Sequence, residues 1–170
     1  VSGGRLELGL GAGWNEQETK AYGIDLLPMG QRMDRFEEAV EVIDSLLAHE
    51  ITTFQGKYFQ LEQARCEPKG PQRPRPPIVI GGGGEKRTLR VAARFAQHWN
   101  LPFATPEVFR KKNEILLAHC EAVGRDSSLI IRSVQIESTA DQDPVEVADK
   151  AAMLFAAGVD QVILTLRTPY

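Results

Sequence analysis

Sulfur is scarce in this chain. Only two cysteines, Cys66 and Cys120, occur in 170 residues, far apart and without a C-x-x-C spacing. They read as reduced thiols in a cytoplasmic setting, not as a disulfide framework. The three histidines, His49, His98 and His119, lack metal-ligand spacing, so no metal is expected. No apolar run approaches the roughly 18 residues of a membrane span. Residues Val1 to Arg5 carry no signal-peptide pattern. An excess of positive charge is missing too: 20 Lys+Arg against 23 Asp+Glu leaves −3, so no membrane or nucleic-acid partner is expected.

Familiar catalytic and nucleotide motifs are also absent. Glu85-Lys86-Arg87 breaks the Gly-Lys-Ser/Thr ending of a Walker loop. The dinucleotide pattern G-x-G-x-x-G meets Trp14 after Gly9-x-Gly11 and Lys86 after Gly81-x-Gly83. No G-x-S-x-G occurs, and Ser127, Ser128 and Ser133 have no nucleophile context, so catalytic residues stay unassigned.

What is present is a globular composition, 42% hydrophobic and 25% charged. Met33, Phe36, Val40, Ile43 and Leu47 recur at helical spacing and predict an amphipathic helix over 31–48. Thr52-Thr53-Phe54 and Tyr58-Phe59-Gln60-Leu61 around Gln55-Gly56-Lys57 predict a hairpin. Five prolines between Pro68 and Pro77 predict an extended connection into the apolar strand Pro77-Ile78-Val79-Ile80. Helices follow at about 85–97, from Thr105-Pro106 to Gly124, and from Asp143-Pro144 to Gly158. The second of these is expected to turn Phe109, Leu116, Cys120 and Val123 inward. Strands at about 6–11, 98–101, 129–137 and 161–166 complete a strand–helix alternation. This is an α/β pattern with a parallel sheet, either open and doubly wound or part of a (β/α)₈ barrel.

Gly81-Gly82-Gly83-Gly84 carries the clearest chemical signal. A strand delivers a stretch without Cβ atoms to a helix start, where free N–H groups suit a phosphate or another anion. A ligand-free tight turn is the alternative. Gly11-Ala12-Gly13-Trp14-Asn15 and Trp99-Asn100 each place an aromatic and an amide beside a strand end. They suit a planar ring, although a Trp at such a place also serves packing. Glu137-Ser138 and Arg167-Thr168 end two strands and would face an active site in a barrel.

Ser2-Gly3-Gly4-Arg5-Leu6-Glu7-Leu8-Gly9-Leu10-Gly11-Ala12-Gly13-Trp14-Asn15 resembles a signature of the bacterial luciferase-like monooxygenase superfamily. The helix from Gly30 to Leu47, the Thr53–Phe59 segment and the Pro68–Ile78 return resemble its following elements. Ile80-Gly81-Gly82-Gly83-Gly84-Glu85-Lys86-Arg87-Thr88-Leu89-Arg90 is most similar to its coenzyme F420-dependent oxidoreductase branch. The resemblance implies a TIM (β/α)₈ barrel present only in part, about strands 4–8. It would be a single partial domain over 1–170 with a hairpin and proline-rich insertion at about 50–77. It implies hydride transfer between F420 and a small organic substrate, with FMN-dependent monooxygenation as the alternative. Gly82, Gly83 and Gly84 would lie near the cofactor phosphate. Gly13, Trp14, Asn15, Trp99 and Asn100 would surround the pocket. A homodimer is the assembly it suggests.

One departure is local: Gln97-His98 stands where the family commonly has Asp-Gly or Asp-Ala before the Trp, so His98 either alters the pocket edge or fills it. The other is length. Three family strands precede the Ser-Gly-Gly-Arg stretch, and a last helix follows the final strand, so both ends of the chain look cut. Catalytic residues are then expected in the missing strands. A barrel isomerase or aldolase acting on a phosphorylated metabolite would use the same loop, but no convincing acid/base set supports it. A non-enzymatic binding or assembly module is the third class.

Overall fold

The computed structural model describes residues 2–167 and divides into two compact units, 1–78 and 79–170. Val1 and Thr168–Tyr170 lie outside the described residues, as does the side chain of Arg167. The Arg167-Thr168 strand end therefore carries no side-chain description.

In the first unit a short strand β1 (Leu8–Leu10) is followed by helix α1 (Glu16–Ala21) and the long helix α2 (Met29–Ala48). Helix α2 buries Met33, Phe36 and Val40, as the apolar spacing predicts; Val42 is buried as well, whereas Ile43 and Leu47 are only half-buried. Strands β2 (Thr52–Gln55) and β3 (Gln60–Ala64) pair antiparallel, with Phe54 opposite Leu61 and Gln55 opposite Gln60. Tyr58 and Phe59 belong to the connection and not to a strand. The reason is Glu38 of α2, whose carboxylate accepts the Lys57, Tyr58 and Phe59 N–H groups at 3.0, 2.8 and 3.2 Å. Donors committed to a carboxylate cannot join a ladder. A Cβ on Gly56 would collide with that same carboxylate, so glycine is required at this corner. The Pro-rich return is tied down by an ion pair between buried Arg75 and Asp44 at 2.5 Å, and the Leu8 N–H donates to the Pro77 carbonyl at 2.9 Å.

The second unit alternates strand and helix: β4 (Ile78–Gly81), α3 (Thr88–Phe95), β5 (His98–Pro102), α4 (Pro106–Ala122), β6 (Ile131–Thr139), α5 (Pro144–Ala156) and β7 (Gln161–Arg167). Strands β4 to β7 lie side by side in chain order, all parallel. That is the arrangement the strand–helix alternation predicts. Helix starts follow the expected caps: Thr105 accepts from Val108 N–H ahead of Pro106, and Asp143 accepts from Val145 N–H ahead of Pro144.

Three details differ from the sequence expectation. Helix α3 begins at Thr88, because Glu85–Arg87 form a turn. Its C-terminal carbonyls are met by Arg125, whose guanidinium donates to Ala93 at 3.0 Å and to Ala96. Val123 is not inward: it is the C-cap of α4 and is 45% exposed, while Phe109, Leu116 and Cys120 are buried as expected. Strand β6 starts at Ile131, after a 3₁₀ turn over Ser127–Leu129 that Asp126 caps through the Ser128 N–H. The start of β6 is then fixed by Asp160. Its carboxylate accepts from Arg132 N, Nε and Nη2 at 2.8, 2.8 and 3.1 Å, and its N–H donates to the Arg132 carbonyl at 2.8 Å.

Candidate functional site

Strand alternation decides what each residue of β5 can do. Trp99 and Leu101 share one face, and the Trp99 ring is fully buried there, stacked on Phe109 of α4 with centroids 5.9 Å apart and planes at 20°. His98 and Asn100 lie on the opposite face. Trp99 and Asn100, adjacent in sequence, therefore cannot both meet one planar ligand. Trp99 acts from behind: its Nε1–H donates to the Gly82 carbonyl at 2.9 Å.

That bond is one of several that hold the glycine loop. The Gly82 N–H donates to the Asn100 carbonyl at 2.9 Å, and Gly82 sits at φ +115°, a conformation open to glycine. A Cβ on Gly83 would stand 2.7 Å from Leu101 Cδ1, and one on Gly84 would stand 2.7 Å from Thr88 Oγ1. The loop's far end is clamped from α4. Lys112 Nζ donates to Glu85 Oε1 at 2.8 Å, Lys111 adds a second ammonium at 3.9 Å, and His119 Nε2 lies 2.8 Å from the Glu85 carbonyl. The hydrogen bond and charge of Lys112 outweigh the opposing effect of desolvation and hold the Glu85 carboxyl below its usual pKa. Glu85 is thus an ionised tether, its charge answered by α4. The Gly83 and Gly84 N–H groups have no protein acceptor among the described residues. Two uncommitted N–H donors just ahead of a helix start are chemically suited to an anion.

A polar chain runs beneath it on the other face of the sheet. Asn100 is opposite Ser133 in the β5–β6 register. Ser133 Oγ donates to Asn100 Oδ1 at 2.9 Å, and buried His98 places Nε2 at 2.7 Å from Ser133 Oγ. His98 stands out only as a departure from the family's residues before the Trp, and Ser133 not at all; the i, i+2 spacing of His98 and Asn100 is the one hint at their shared face. Further along β6, Glu137 lies on this same face, while Ser138 turns to the other. Ser138 borders an apolar groove of about 560 Å³ shared with Val147, Ala151, Phe155, Val162 and Leu164. The four glycines, Trp99 and Asn100 are thus assembled in the second unit.

Gly13, Trp14 and Asn15 belong to the first unit. Gly13 has φ +80°, and its carbonyl accepts from Arg32 Nη1 at 3.0 Å. Gly11, Ala12 and Gly13 line a cavity of about 330 Å³ with Leu26, Arg32 and Phe36. The Asn15 side chain is committed locally: its Oδ1 accepts the Glu18 N–H at 3.1 Å as the N-cap of α1. Trp14 is 82% exposed and presents an open indole face. Among the described residues, no group of three or more His, Cys, Asp or Glu could hold a metal ion, and no helix is long and apolar enough to cross a membrane.

Residues 1–168 match the family model described as luciferase-like monooxygenase. The chain belongs to this family. A relative from Kineococcus radiotolerans, an F420-dependent glucose-6-phosphate dehydrogenase, is 31% identical over 150 residues, covering 86% of this chain and 43% of its own. Pyrimidine monooxygenase RutA of Agrobacterium fabrum is 28% identical over 152 residues, covering 84% of this chain and 40% of its own. The chain spans about half the length, or less, of these curated relatives. Among solved structures, an F420-dependent secondary alcohol dehydrogenase in complex with an F420-acetone adduct superimposes with a TM-score of 0.81 at 20% identity. It covers 98% of this chain and 66% of that one. The shared fold is the luciferase-like α/β barrel type, present here in part.

Proposed function

We propose that this chain forms part of an oxidoreductase that transfers hydride between coenzyme F420 and a small organic substrate. The observation that carries this reading is the glycine cradle, with two donors uncommitted, a backbone that excludes side chains, and anchors on both β5 and α4. The cradle suits a phosphate group of a large cofactor, and its neighbour Asn100 suits a polar edge of the same molecule. When bound, F420 supplies a two-electron carrier; the residues here bind it, orient it and fix its distance from the sheet. Gly83 and Gly84 offer their N–H groups to the phosphate, Gly82 supplies the positive-φ turn that brings them there, and Asn100 meets the ring or its side chain. Trp99 supports the loop without touching the ligand. Within the first unit, the exposed indole of Trp14, at the turn that Gly13 and Asn15 shape, is proposed as an aromatic face for a planar ring.

FMN-dependent monooxygenation is the second reading, favoured by the similarity to a pyrimidine monooxygenase. A homodimer in the cytoplasm is the proposed setting. Titration of the chain with F420 and with FMN, followed by cofactor fluorescence, tests both readings. Preferential binding of F420 is expected. Binding of FMN alone overturns the first reading, and binding of neither overturns both. Gly84→Val should weaken binding at least about tenfold by filling the cradle.

A further inference from the structure

The chain His98–Ser133–Asn100 has a direction, and that direction determines what Asn100 can offer a ligand. A serine hydroxyl carries one proton, and a carboxamide oxygen can only accept. With Asn100 Oδ1 at 2.9 Å from Ser133 Oγ, the hydroxyl proton points to Asn100. Ser133 Oγ is then an acceptor at its other contact, so His98 Nε2, 2.7 Å away, must donate. The order is His98 Nε2–H to Ser133 O–H to Asn100 Oδ1. Asn100 is anchored through its oxygen, and its NH2 group has no protein partner among the described residues. His98 and Ser133 are both buried, whereas Asn100 is partly exposed, so the relay ends at the open side. A buried network of this kind fixes one rotamer and one amide orientation.

We propose that His98 and Ser133 are positioning residues that hold the Asn100 carboxamide with its NH2 outward, as a hydrogen-bond donor to an acceptor oxygen or nitrogen of the bound cofactor. This rests on the cofactor reading above. It also accounts for the imidazole of His98, which fills its place at the start of β5 and sets the donor two residues on. The reverse order would run from Asn100 NH2 to Ser133 and on to an unprotonated His98 Nε2. It would present an acceptor to the ligand instead of a donor.

Two measurements on the 170-residue chain test the proposal. Histidine-ring ¹⁵N spectra of the ligand-free protein should show His98 Nε2 protonated, with its hydrogen-bonded signal lost in Ser133→Ala. An unprotonated Nε2 overturns the proposal, because the relay then runs the other way. Titrations with F420 and FMN should show Ser133→Ala and Asn100→Ala each weakening the cofactor that binds by about tenfold, the size of one hydrogen bond to a polar acceptor. The double variant should be no weaker than Asn100→Ala, while Ser133→Thr, which keeps the hydroxyl, restores binding. A cofactor that binds Ser133→Ala as tightly as the parent overturns the relay alone. A parent chain that binds neither cofactor overturns the cofactor reading, and this inference with it.

Discussion

Trp99→Phe separates the two roles that one indole combines, packing and loop anchoring. The substitution keeps a flat ring against Phe109 but removes Nε1–H, leaving the Gly82 carbonyl without its donor at 2.9 Å. An unsatisfied buried acceptor costs about 1–3 kcal/mol; Gly82 is only partly buried and can recruit water, so the lower end, about 1 kcal/mol, applies. The smaller ring also leaves roughly 40 Å³ unfilled in a site with no exposure, which adds about 1 kcal/mol at ~24 cal/mol per Å³. The total is about 2 kcal/mol. With a urea m-value near ~2 kcal/mol/M, the midpoint should fall by about 1 M, read by far-ultraviolet circular dichroism. Loss of stability alone would not identify the hydrogen bond. Phe109→Leu is therefore the companion variant, since it weakens the stack and keeps Nε1–H. Hydrogen exchange at the Gly82 amide distinguishes them. It should accelerate in Trp99→Phe, because the loop that presents it to the Asn100 carbonyl loosens, and stay near parental in Phe109→Leu. Equal acceleration in both variants, or none in Trp99→Phe, would refute the assignment of Trp99 as the anchor of the glycine loop.

Gly83→Ala should destabilise the chain by about 1–3 kcal/mol, since its Cβ meets Leu101 Cδ1 at 2.7 Å; in a double-mutant cycle read by thermal unfolding, the same change should cost less in a Leu101→Ala background than in the parent. Asp160→Asn should cost about 1 kcal/mol, a modest figure because the carboxylate is 41% exposed. Burial alone would raise the Asp160 pKa, but the hydrogen bonds and charge of Arg132 outweigh it and leave the value lowered. Its contribution is therefore fully present above the unfolded value of about 3.9 and disappears as pH falls through the depressed folded value. Parent and Asp160→Asn stabilities, measured against pH, should converge in acid; a gap that persists at pH 2 refutes the linkage. Trp14→Phe should leave an emission spectrum from the buried Trp99 alone, blue-shifted and poorly quenched by iodide, whereas free quenching would contradict the burial.

The elements were legible where the signal is local. Thr105-Pro106 and Asp143-Pro144 announce α4 and α5, and the 3–4 spacing of Met33, Phe36 and Val40 announces α2, because caps and periodicity act within a few residues. The departures came from partners far along the chain. Glu38 draws Tyr58 and Phe59 out of the hairpin strand from 20 and 21 residues away, and α4 holds Glu85 from 27 residues away. No window around either segment contains its partner. The glycine loop was visible because glycine advertises a backbone requirement at its own position. Its anchors, a tryptophan and a lysine, look like any core aromatic and any solvated helix charge.

Trp99 and Asn100 show a different kind of limit, one that strand geometry could have removed. Two neighbours on a strand point to opposite faces, so assigning both to one pocket contradicts the strand that carries them. Once β5 is accepted as a strand, burial of one of the pair implies that the other faces the opposite side. The volume and hydrophobicity of tryptophan select it for the helix-packed face, and the amide is left for the polar one. The same alternation then selects its companions, His98 two residues before on β5 and Ser133 across the ladder on β6. The buried Ser133 hydroxyl stands 2.7 Å from His98 Nε2 and 2.9 Å from Asn100 Oδ1, close enough to link the two side chains. The relay follows from that placement. Histidine at this place is compatible with the fold because serine stands at 133, and the pair leaves the amide of Asn100 with its donor end uncommitted.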